Sequence, residues 1–299
     1  MRKIEFTIPC EYDGKSVGSI LSGKLEISSS LRTVLRQSDG IMIDGIPVTT
    51  RQQVKTGETL TILIGDSVSS QNIVPVDMPI KILYDDLDIL AVSKPKNIPI
   101  HPSAGHHTNT LANGVMYKFR DSPFVFRPIT RLDRDTTGVV LIAKNKLSAA
   151  ILTQQMADKK IKKTYTALLS ATPPHTNGTV CKPIGRCSDS IIKRKISKDG
   201  KPAVTHYHVI AKNSDGTCVV QLNPVTGRTH QIRVHMAHIG CPLMYDFLYG
   251  TEVEGKTFDL HCESVEFIHP FTKKEIKISD TTHRKGTPCQ TFIHQQNNL

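Results

Sequence analysis

An acidic residue flanked by arginines lies immediately before an apolar run. The segment RLDRDTTG (residues 131–138) continues into an apolar stretch at residues 139–144, which predicts a polar loop feeding a buried strand. Loops held by a rigid sheet commonly carry catalytic groups, and the flanking arginines favour the ionised form of Asp133. An ionised carboxylate can attack as a nucleophile or accept a proton. In the structural alternative, Asp133 and Asp135 only cap a turn or pair with the neighbouring arginines, Arg131 and Arg134.

Three histidines lie close together further along the chain. Residues 227–230 predict a turn, followed by a helix over residues 231–239 that ends at Gly240. His230, His235 and His238 could ligate zinc, but residues five apart do not share a helix face and no HExxH motif is present. GKSVG at residues 14–18 has the letters of the GxSxG motif of serine hydrolases, but no nucleophile elbow, in which a strand leads into the serine, is predicted there. The pattern therefore favours neither a hydrolase nor a metal enzyme, and no metal site is predicted.

Residues 78–280 contain the elements that must position these groups. Strands are predicted at residues 88–94, 139–144, 163–169, 204–210, 218–224 and 275–279, and one clear helix at residues 146–159. Many strands with few helices indicate an α+β domain around a mixed, largely antiparallel β-sheet.

The first 64 residues predict a second, smaller α+β unit. Three apolar residues of a predicted helix at residues 28–37, whose serines offer N-caps, share one face: Leu31, Val34 and Leu35. Arg32 and Arg36 are four residues apart and share the neighbouring face. An Asp-Gly pair between apolar residues predicts a hairpin at residues 41–48, and residues 59–64 alternate as a closing strand.

The positive charge of the chain is concentrated in one segment. The net charge is +11. Residues 1–70 hold eight basic and eight acidic residues, whereas residues 144–205 hold thirteen basic and three acidic residues, a net of +10. Clustered Lys and Arg suit a polyanion such as RNA, because binding releases counterions from its phosphates. A solvated basic face that serves solubility is the alternative.

The segment around Asp133 resembles a known catalytic motif. RLDRDTTGVVLIAK is similar to the motif of the RluA/RluD-type pseudouridine synthases, whose form is roughly H-R-L-D-x-x-T-S-G-L-L-L-x-A-K. Asp133 matches the catalytic aspartate of that family. Thr130 stands where the family often has His, and Thr137 stands where it often has Ser. Both departures lie outside the aspartate itself and concern the detail of the loop.

Three further blocks match the family in the same order. VSKPKNIPIHPSAGHH, from residue 92, resembles the K-P-x-G-x-x-x-H-P block, with Asn97 in place of the usual Gly. KKTYTALL resembles the K-x-Y-x-A strand, and its Tyr165 matches the active-site tyrosine. GRTHQIRVH matches the G-R-T-H-Q-I-R-x-H block, in which Arg233 matches the arginine that pairs with the aspartate. Together the four blocks span roughly residues 80–280.

The resemblance implies that the chain isomerises uridine to pseudouridine in RNA. This reaction breaks the N1–C1′ bond, turns the base and joins C5 to C1′, so no cofactor, metal or nucleotide energy is expected. Asp133 would attack the ribose or take a proton from it. Arg233 would keep the carboxylate charged and oriented, and Tyr165 would face the turned base.

RNA contacts are expected around this centre. A uridine inside a helix must leave the stack first, and Arg131 is placed to fill the gap or hold a phosphate. Arg228 and His230 are predicted to contact RNA or hold their own loop. Large-subunit ribosomal RNA is the first expected substrate and transfer RNA the second. The alternative is a non-catalytic RNA-binding or ribosome-assembly protein on the same fold, which would not need Asp133, Tyr165 and Arg233 together.

The N-terminal unit also carries a resemblance. The order of arginine-bearing helix, IDGIPV hairpin and VKTGETLTI strand resembles an S4 RNA-binding domain, which makes Arg32 and Arg36 candidate RNA contacts. A purely structural appendage is the alternative. We therefore predict an S4-like domain at residues 1–64, a polar linker at 65–77, the catalytic domain at 78–280 and a partly disordered tail at 281–299.

Composition restricts where such a protein would work. The seven cysteines are scattered without a CxxC pair, which favours free thiols in a reducing cytoplasm over disulfides or zinc. No run of 18 apolar residues and no secretory signal is present, so no membrane partner is expected. We expect a cytoplasmic monomer.

Overall fold

The N-terminal unit is a four-stranded antiparallel sheet covered by two helices. A computed structural model describes residues 2–27, 29–37, 40–66, 68–188 and 190–281 of the chain. The strands of this unit are β1 (Arg2–Thr7), β2 (Ile41–Ile43), β3 (Ile46–Pro47) and β4 (Thr59–Ile64), and its helices are α1 (Val17–Gly23) and α2 (Ser29–Gln37). The strands run in the order β1-β4-β2-β3. Ile20, Leu21, Leu60 and Ile62 form the centre of its core.

The helix, hairpin and closing strand predicted for this unit are present where the structure describes it. The hairpin between β2 and β3 turns at Asp44 and Gly45, whose φ angles of 49° and 83° are those of a two-residue type I′ turn. Leu35 of α2 is buried as predicted. The predicted N-cap Ser28 and the side chains of Leu31 and Val34 lie outside the described residues.

The larger unit is built on one nine-stranded mixed sheet. Its strands are β5 (Lys81–Asp85), β6 (Ile89–Lys94), β7 (Thr137–Ala143), β8 (Lys162–Leu169), β9 (Asn177–Cys181), β12 (Val204–Lys212), β13 (Cys218–Pro224), β14 (Leu260–Ile268) and β15 (Glu275–Ser279). They run in the order β5-β6-β7-β14-β8-β13-β12-β9, and β15 pairs with β14. Among the described strands of this sheet only β7 and β14 pair in parallel, so the predicted α+β fold with a mixed, largely antiparallel sheet is confirmed.

Three helices and one hairpin complete this unit. The helices are α3 (Leu111–Lys118), α4 (Lys146–Ala157) and α5 (Gln231–His238), and the hairpin pairs β10 (Ile184–Arg186) with β11 (Arg194–Ile196). The predicted helices that match α4 and α5 are each within two residues of the observed ends. All six predicted strands are observed, whereas α3, β5, β9 to β11 and β14 were not predicted.

Gly138 allows β7 and β14 to approach each other. Its φ is +107°, a conformation that L side chains rarely adopt. A Cβ at this position would collide with the backbone of Cys262, its neighbour on β14. Because β7 begins at the residue before Gly138, this close approach also fixes where the loop carrying Asp133 ends.

Gly138→Ala should therefore destabilise the fold by more than the backbone conformation alone would cost. We expect a loss of roughly 3 kcal/mol or more in the free energy of unfolding, from backbone strain together with steric overlap. Gly216→Ala is the matched control, because Gly216 has a φ of +85° but no atom within 4 Å of its Cβ position. The control should lose only about 1–2 kcal/mol. Equal losses in urea titrations of the two variants would contradict the collision.

The connection between the two units is bonded to the larger one. Asp66 forms a bidentate ion pair with Arg127, with N–O distances of 2.6 and 2.7 Å. Arg2 of β1 forms a second pair with the fully buried Asp88. The described residues between 65 and 77 contain no helix or strand, and backbone and side-chain hydrogen bonds tie them to residues 113–126. None of the described helices is long and apolar enough to cross a membrane.

Candidate active site

Asp133 lies on the loop that leads into β7, and a buried lysine anchors this loop. Lys94, the last residue of β6, has no exposed surface. Its Nζ donates to the carbonyl oxygens of Arg134, Pro95 and Ile98 at 2.7–2.8 Å. Burial lowers the pKa of Lys94 to about 7, although two nearby carboxylates oppose this shift. One side chain therefore joins the loop of Asp133 to the loop that follows β6.

Arg233 of α5 is fixed by a second aspartate. Its Nε and Nη2 donate to the two carboxylate oxygens of Asp246, each at 2.8 Å, and both side chains are almost fully buried. Asp246 also accepts two backbone N–H groups from the residues that follow it. The guanidinium lies 4.3 Å from the ring centroid of Phe258. This bidentate pair leaves only Nη1 of Arg233 directed at another group.

Two side chains at the start of α5 approach Asp133. Nη1 of Arg233 is 3.7 Å from Oδ2 of Asp133, and Nε2 of His230 is 4.0 Å from the same oxygen. The Asp133 side chain is 28% exposed, so part of the carboxylate stays open to a ligand. The neighbouring Arg134 pairs with Asp135 at 3.1 Å and not with Asp133. The predicted proximity of Arg233 to Asp133 is thus present in the structure.

Tyr165 lies on β8 opposite Cys262 of β14. The tyrosine is 6% exposed, and burial raises its pKa well above the usual value, with further contributions from Cys262 and Asp133. The phenol is therefore neutral at physiological pH. Burial also raises the pKa of the Cys262 thiol to about 12, which makes this cysteine a packing residue and not a nucleophile.

A cleft of about 750 Å³ is lined by most of the predicted site residues. Six of the eight predicted residues line it: Asp133, Tyr165, Arg233, Arg131, Arg228 and His230. Two lysines from the basic segment, Lys159 and Lys163, also line it. The other two predicted residues lie elsewhere, since all lining residues fall between positions 100 and 260. Arg32 donates to the carbonyl of Ile27 and Arg36 is exposed, both on α2.

A buried glutamine shapes the loop before α5. Oε1 of Gln231 accepts from the Thr226 hydroxyl at 2.7 Å and from the backbone N–H of Arg228 at 3.0 Å. Its Nε2 donates to the carbonyl of Val204 and the hydroxyl of Thr205. The amide thus makes four hydrogen bonds, which hold the loop against β12 and leave Arg228 exposed.

The histidines of this segment do not form a metal site. His235 is fully buried, and both ring nitrogens are occupied by the Thr205 hydroxyl and the Lys182 carbonyl at 2.9 Å. Within the described parts of the chain, the one group of three potential ligands is Asp86, Asp88 and His269. None of these three residues lines the cleft, and they are already paired, since Asp88 pairs with Arg2 and Asp86 with His269.

Comparison with known proteins decides the identity of this fold. A sequence model of the RNA pseudouridylate synthases matches residues 88–238, which contain Asp133, Tyr165 and Arg233. The chain belongs to this family. It is 37% identical over 261 residues to the uncharacterized RNA pseudouridine synthase YjbO of Bacillus subtilis, covering 86% of this chain and 92% of that protein.

Other relatives agree in sequence and in structure. The ribosomal large subunit pseudouridine synthase D of Xanthomonas campestris is 30% identical over 292 residues, which cover 91% of this chain and 87% of that one. The solved structure of human RNA pseudouridylate synthase domain containing 1 superimposes with a TM-score of 0.58 at 27% identity, covering 71% and 86% of the two chains. The protein is an RNA pseudouridine synthase, and the alternative of a non-catalytic binding protein has no support among these relatives.

Several residues that orient the site of this synthase are not predicted from the sequence. Four side chains make contacts that orient a candidate site residue or its loop: Lys94, Gln231, Asp246 and Tyr249. Asp246 lies inside the segment that resembles the family, but no spacing rule connects it to Arg233, thirteen residues earlier. The contact between this buried aspartate and the buried arginine forms only when the chain folds, so the sequence does not predict it.

Proposed function

We propose that this enzyme converts specific uridines to pseudouridine in structured RNA, with large-subunit ribosomal RNA as the first substrate class and transfer RNA as the second. The observation that carries the proposal is a cleft in which Asp133 stands 3.7 Å from the fixed Arg233 and which the buried Tyr165 also lines. The similarity to a synthase named for ribosomal large-subunit RNA supports the order of substrates.

The proposed chemistry assigns one role to each of three residues. Asp133 acts on the ribose of the flipped uridine, and the N1–C1′ bond breaks with its electron pair going to the base. If Asp133 attacks C1′, the bond that it forms breaks again as C5 bonds to C1′; if it removes a ribose proton, it returns that proton to the same carbon. The base turns, C5 bonds to C1′, and the proton on C5 is lost while N1 gains one. Arg233 keeps the carboxylate charged and oriented, because Asp246 holds the guanidinium in a single position. Tyr165 offers its ring face and a neutral hydroxyl to the base.

Positive side chains at the rim of the cleft fit an RNA backbone. Arg131 and Arg228 are exposed there, and the segment of residues 144–205 carries a net charge of +10. Phosphates attract such a surface without regard to sequence, so specificity would come from RNA shape and from the flipped base. Arg131, two residues before Asp133, is positioned to fill the stack or bind a phosphate when the uridine leaves.

The N-terminal unit is proposed to add RNA contacts as an S4-like domain of residues 1–64, joined by residues 65–77 to a catalytic domain of residues 78–280. Arg36 is exposed in the last turn of α2, and Arg32 lies one turn before it. Residues 1–70, which contain this unit, have no net charge, so the affinity of the unit for RNA would depend on such individual residues.

Arg36→Gln should weaken RNA binding while sparing the chemical step. We expect the slope of log Kd against log salt concentration to fall by about one, because one phosphate contact is lost. Arg51→Gln, an exposed arginine of the same unit outside α2, is the matched control and should leave the slope unchanged. If Arg36→Gln behaves like the control in a filter-binding titration, the N-terminal unit is a structural appendage at this face.

We also propose that the enzyme works as a cytoplasmic monomer. Six cysteines of the described chain are free thiols, and Cys218, Cys241 and Cys262 are buried, which fits a reducing compartment. Light scattering during gel filtration would measure one chain of 33.1 kDa if the enzyme is a monomer.

Mapping of pseudouridine in RNA tests the proposed substrates. Ribosomal and transfer RNA transcripts are incubated with the purified enzyme and each uridine is then examined for conversion. New pseudouridine in a large-subunit transcript supports the first substrate class. Conversion of transfer RNA alone would reverse the order, and conversion only in partly assembled ribosomal particles would indicate that the RNA must first be folded by ribosomal proteins.

A further inference from the structure

The ring of His230 lies between the carboxylate of Asp133 and the hydroxyl of Tyr249. His230 precedes α5 as its N-cap residue and has a left-handed backbone, with φ of 55°. Nδ1 is 2.9 Å from Oη of Tyr249, and Nε2 is 4.0 Å from Oδ2 of Asp133. The His230 side chain is 11% exposed, so the geometry of the ring is set by the protein and not by solvent.

The partners of Tyr249 determine which ring nitrogen carries the proton. The backbone N–H of Arg194, on β11, donates to Oη of Tyr249 at 2.9 Å. The hydroxyl has one proton of its own, and within the described residues the only other polar atom bonded to it is Nδ1 of His230. If Nδ1 were protonated, it would donate to the hydroxyl oxygen, and the hydroxyl proton of Tyr249 would have no acceptor among the described residues, at a cost in free energy. The hydroxyl therefore donates to Nδ1, and the proton of the neutral ring lies on Nε2, which faces Asp133.

Burial favours the neutral form of this ring. Burial lowers the pKa of His230, and the nearby Arg233 and Arg194 lower it further, against the opposite effects of Asp133 and Asp246. A neutral ring that accepts at Nδ1 can only donate at Nε2.

We propose that His230 is a positioning residue for Asp133, held in its Nε2–H form by Tyr249, rather than an RNA-contacting residue as the sequence predicts. Arg233 and His230 approach the same oxygen, Oδ2, from two sides. Because Tyr249 also accepts the backbone N–H of Arg194 on β11, the hairpin of β10 and β11 is connected to the Asp133 carboxylate through Tyr249 and His230. This inference rests on the proposed role of Asp133.

The first test needs no RNA substrate. Nitrogen chemical shifts of ¹⁵N-histidine-labelled enzyme, assigned with the His230→Asn variant, report which ring nitrogen is protonated. We expect His230 to be neutral and protonated at Nε2 at pH 7, and Tyr249→Phe to shift it toward the other tautomer. A ring protonated at Nδ1, or at both nitrogens, in the wild-type enzyme would overturn the proposal.

The second test separates positioning from RNA binding. His230→Asn suits the left-handed backbone but is too short to reach Asp133. On a transcript that the wild-type enzyme modifies, His230→Asn and Tyr249→Phe should each lower kcat by roughly 10- to 100-fold, as expected for a misplaced reactive group, with KM nearly unchanged. Tyr245→Phe is the control, since its hydroxyl bonds only Lys256 within the described chain.

The outcomes also separate this inference from the proposed function. A raised KM with unchanged kcat in both variants would return His230 to an RNA-contacting role. Wild-type kcat in both variants, together with an inactive Asp133→Asn enzyme, would refute the positioning role alone. Full turnover by Asp133→Asn would refute the proposed role of Asp133, and His230 would then have no reactive carboxylate to position.

Discussion

Asp133→Asn is expected to abolish pseudouridine formation while leaving RNA affinity nearly unchanged. Asparagine has the same shape but can neither attack the ribose nor accept its proton, so turnover should fall by roughly 10³-fold or more. The fold should tolerate the change, because Lys94 holds the loop through backbone carbonyls and not through the Asp133 side chain. Single-turnover conversion of a transcript that the wild-type enzyme modifies measures the rate, and filter binding measures Kd.

The control for this variant lies in the same loop. Asp135 is 4% exposed and pairs with Arg134, so Asp135→Asn changes the charge of the loop without touching the carboxylate beside Arg233. This control should retain most of the activity even if it loses some stability. Loss of both turnover and RNA binding in Asp133→Asn, with a lowered melting temperature, would instead mean that Asp133 is a structural residue.

Asp246→Ala is expected to cause the largest loss of stability of any substitution near the cleft. Removal of Asp246 leaves the buried Arg233 without its bidentate partner, and an uncompensated buried charge costs about 3–5 kcal/mol. Activity should fall as well, because the freed guanidinium no longer has a fixed position beside Asp133. Urea denaturation measures the free energy of unfolding, and conversion of a transcript measures the activity under conditions where the variant is folded.

Two further variants give this prediction its control. Glu266→Gln breaks the pair between Glu266 and Lys277, which is 2.8 Å long but lies on the surface, and should cost no more than about 1 kcal/mol. The double variant Asp246→Ala/Arg233→Met removes both buried charges and should recover much of the lost stability while remaining inactive. A double variant as unstable as Asp246→Ala would show that packing, and not the unpaired charge, is responsible.

The sequence alone predicts the elements whose side-chain pattern follows their own period. The strand from Cys218 to Pro224 and the hairpin at Asp44-Gly45 were predicted because alternation and turn chemistry are local properties. β14 was missed because a bulge between Cys262 and Ser264 interrupts its alternation. α3 was missed because Asn113 and Gly114 disfavour helix, whereas in the fold Asn113 completes a capping box with Thr110.

The sequence also determined which residues could do the chemistry, and tertiary structure decided how they are held. Tyr165 and Arg233 are identified by the resemblance of their segments to a known family, and Asp133 both by that resemblance and by its place before an apolar run. Their partners come from distant parts of the chain: Lys94 lies 40 residues from Arg134, and Arg194 lies 55 residues from Tyr249. Burial makes these partners necessary, since a charge or polar group removed from water must find a partner inside the protein. The fold determines which residues lie close enough to meet that requirement, and no local sequence pattern predicts them.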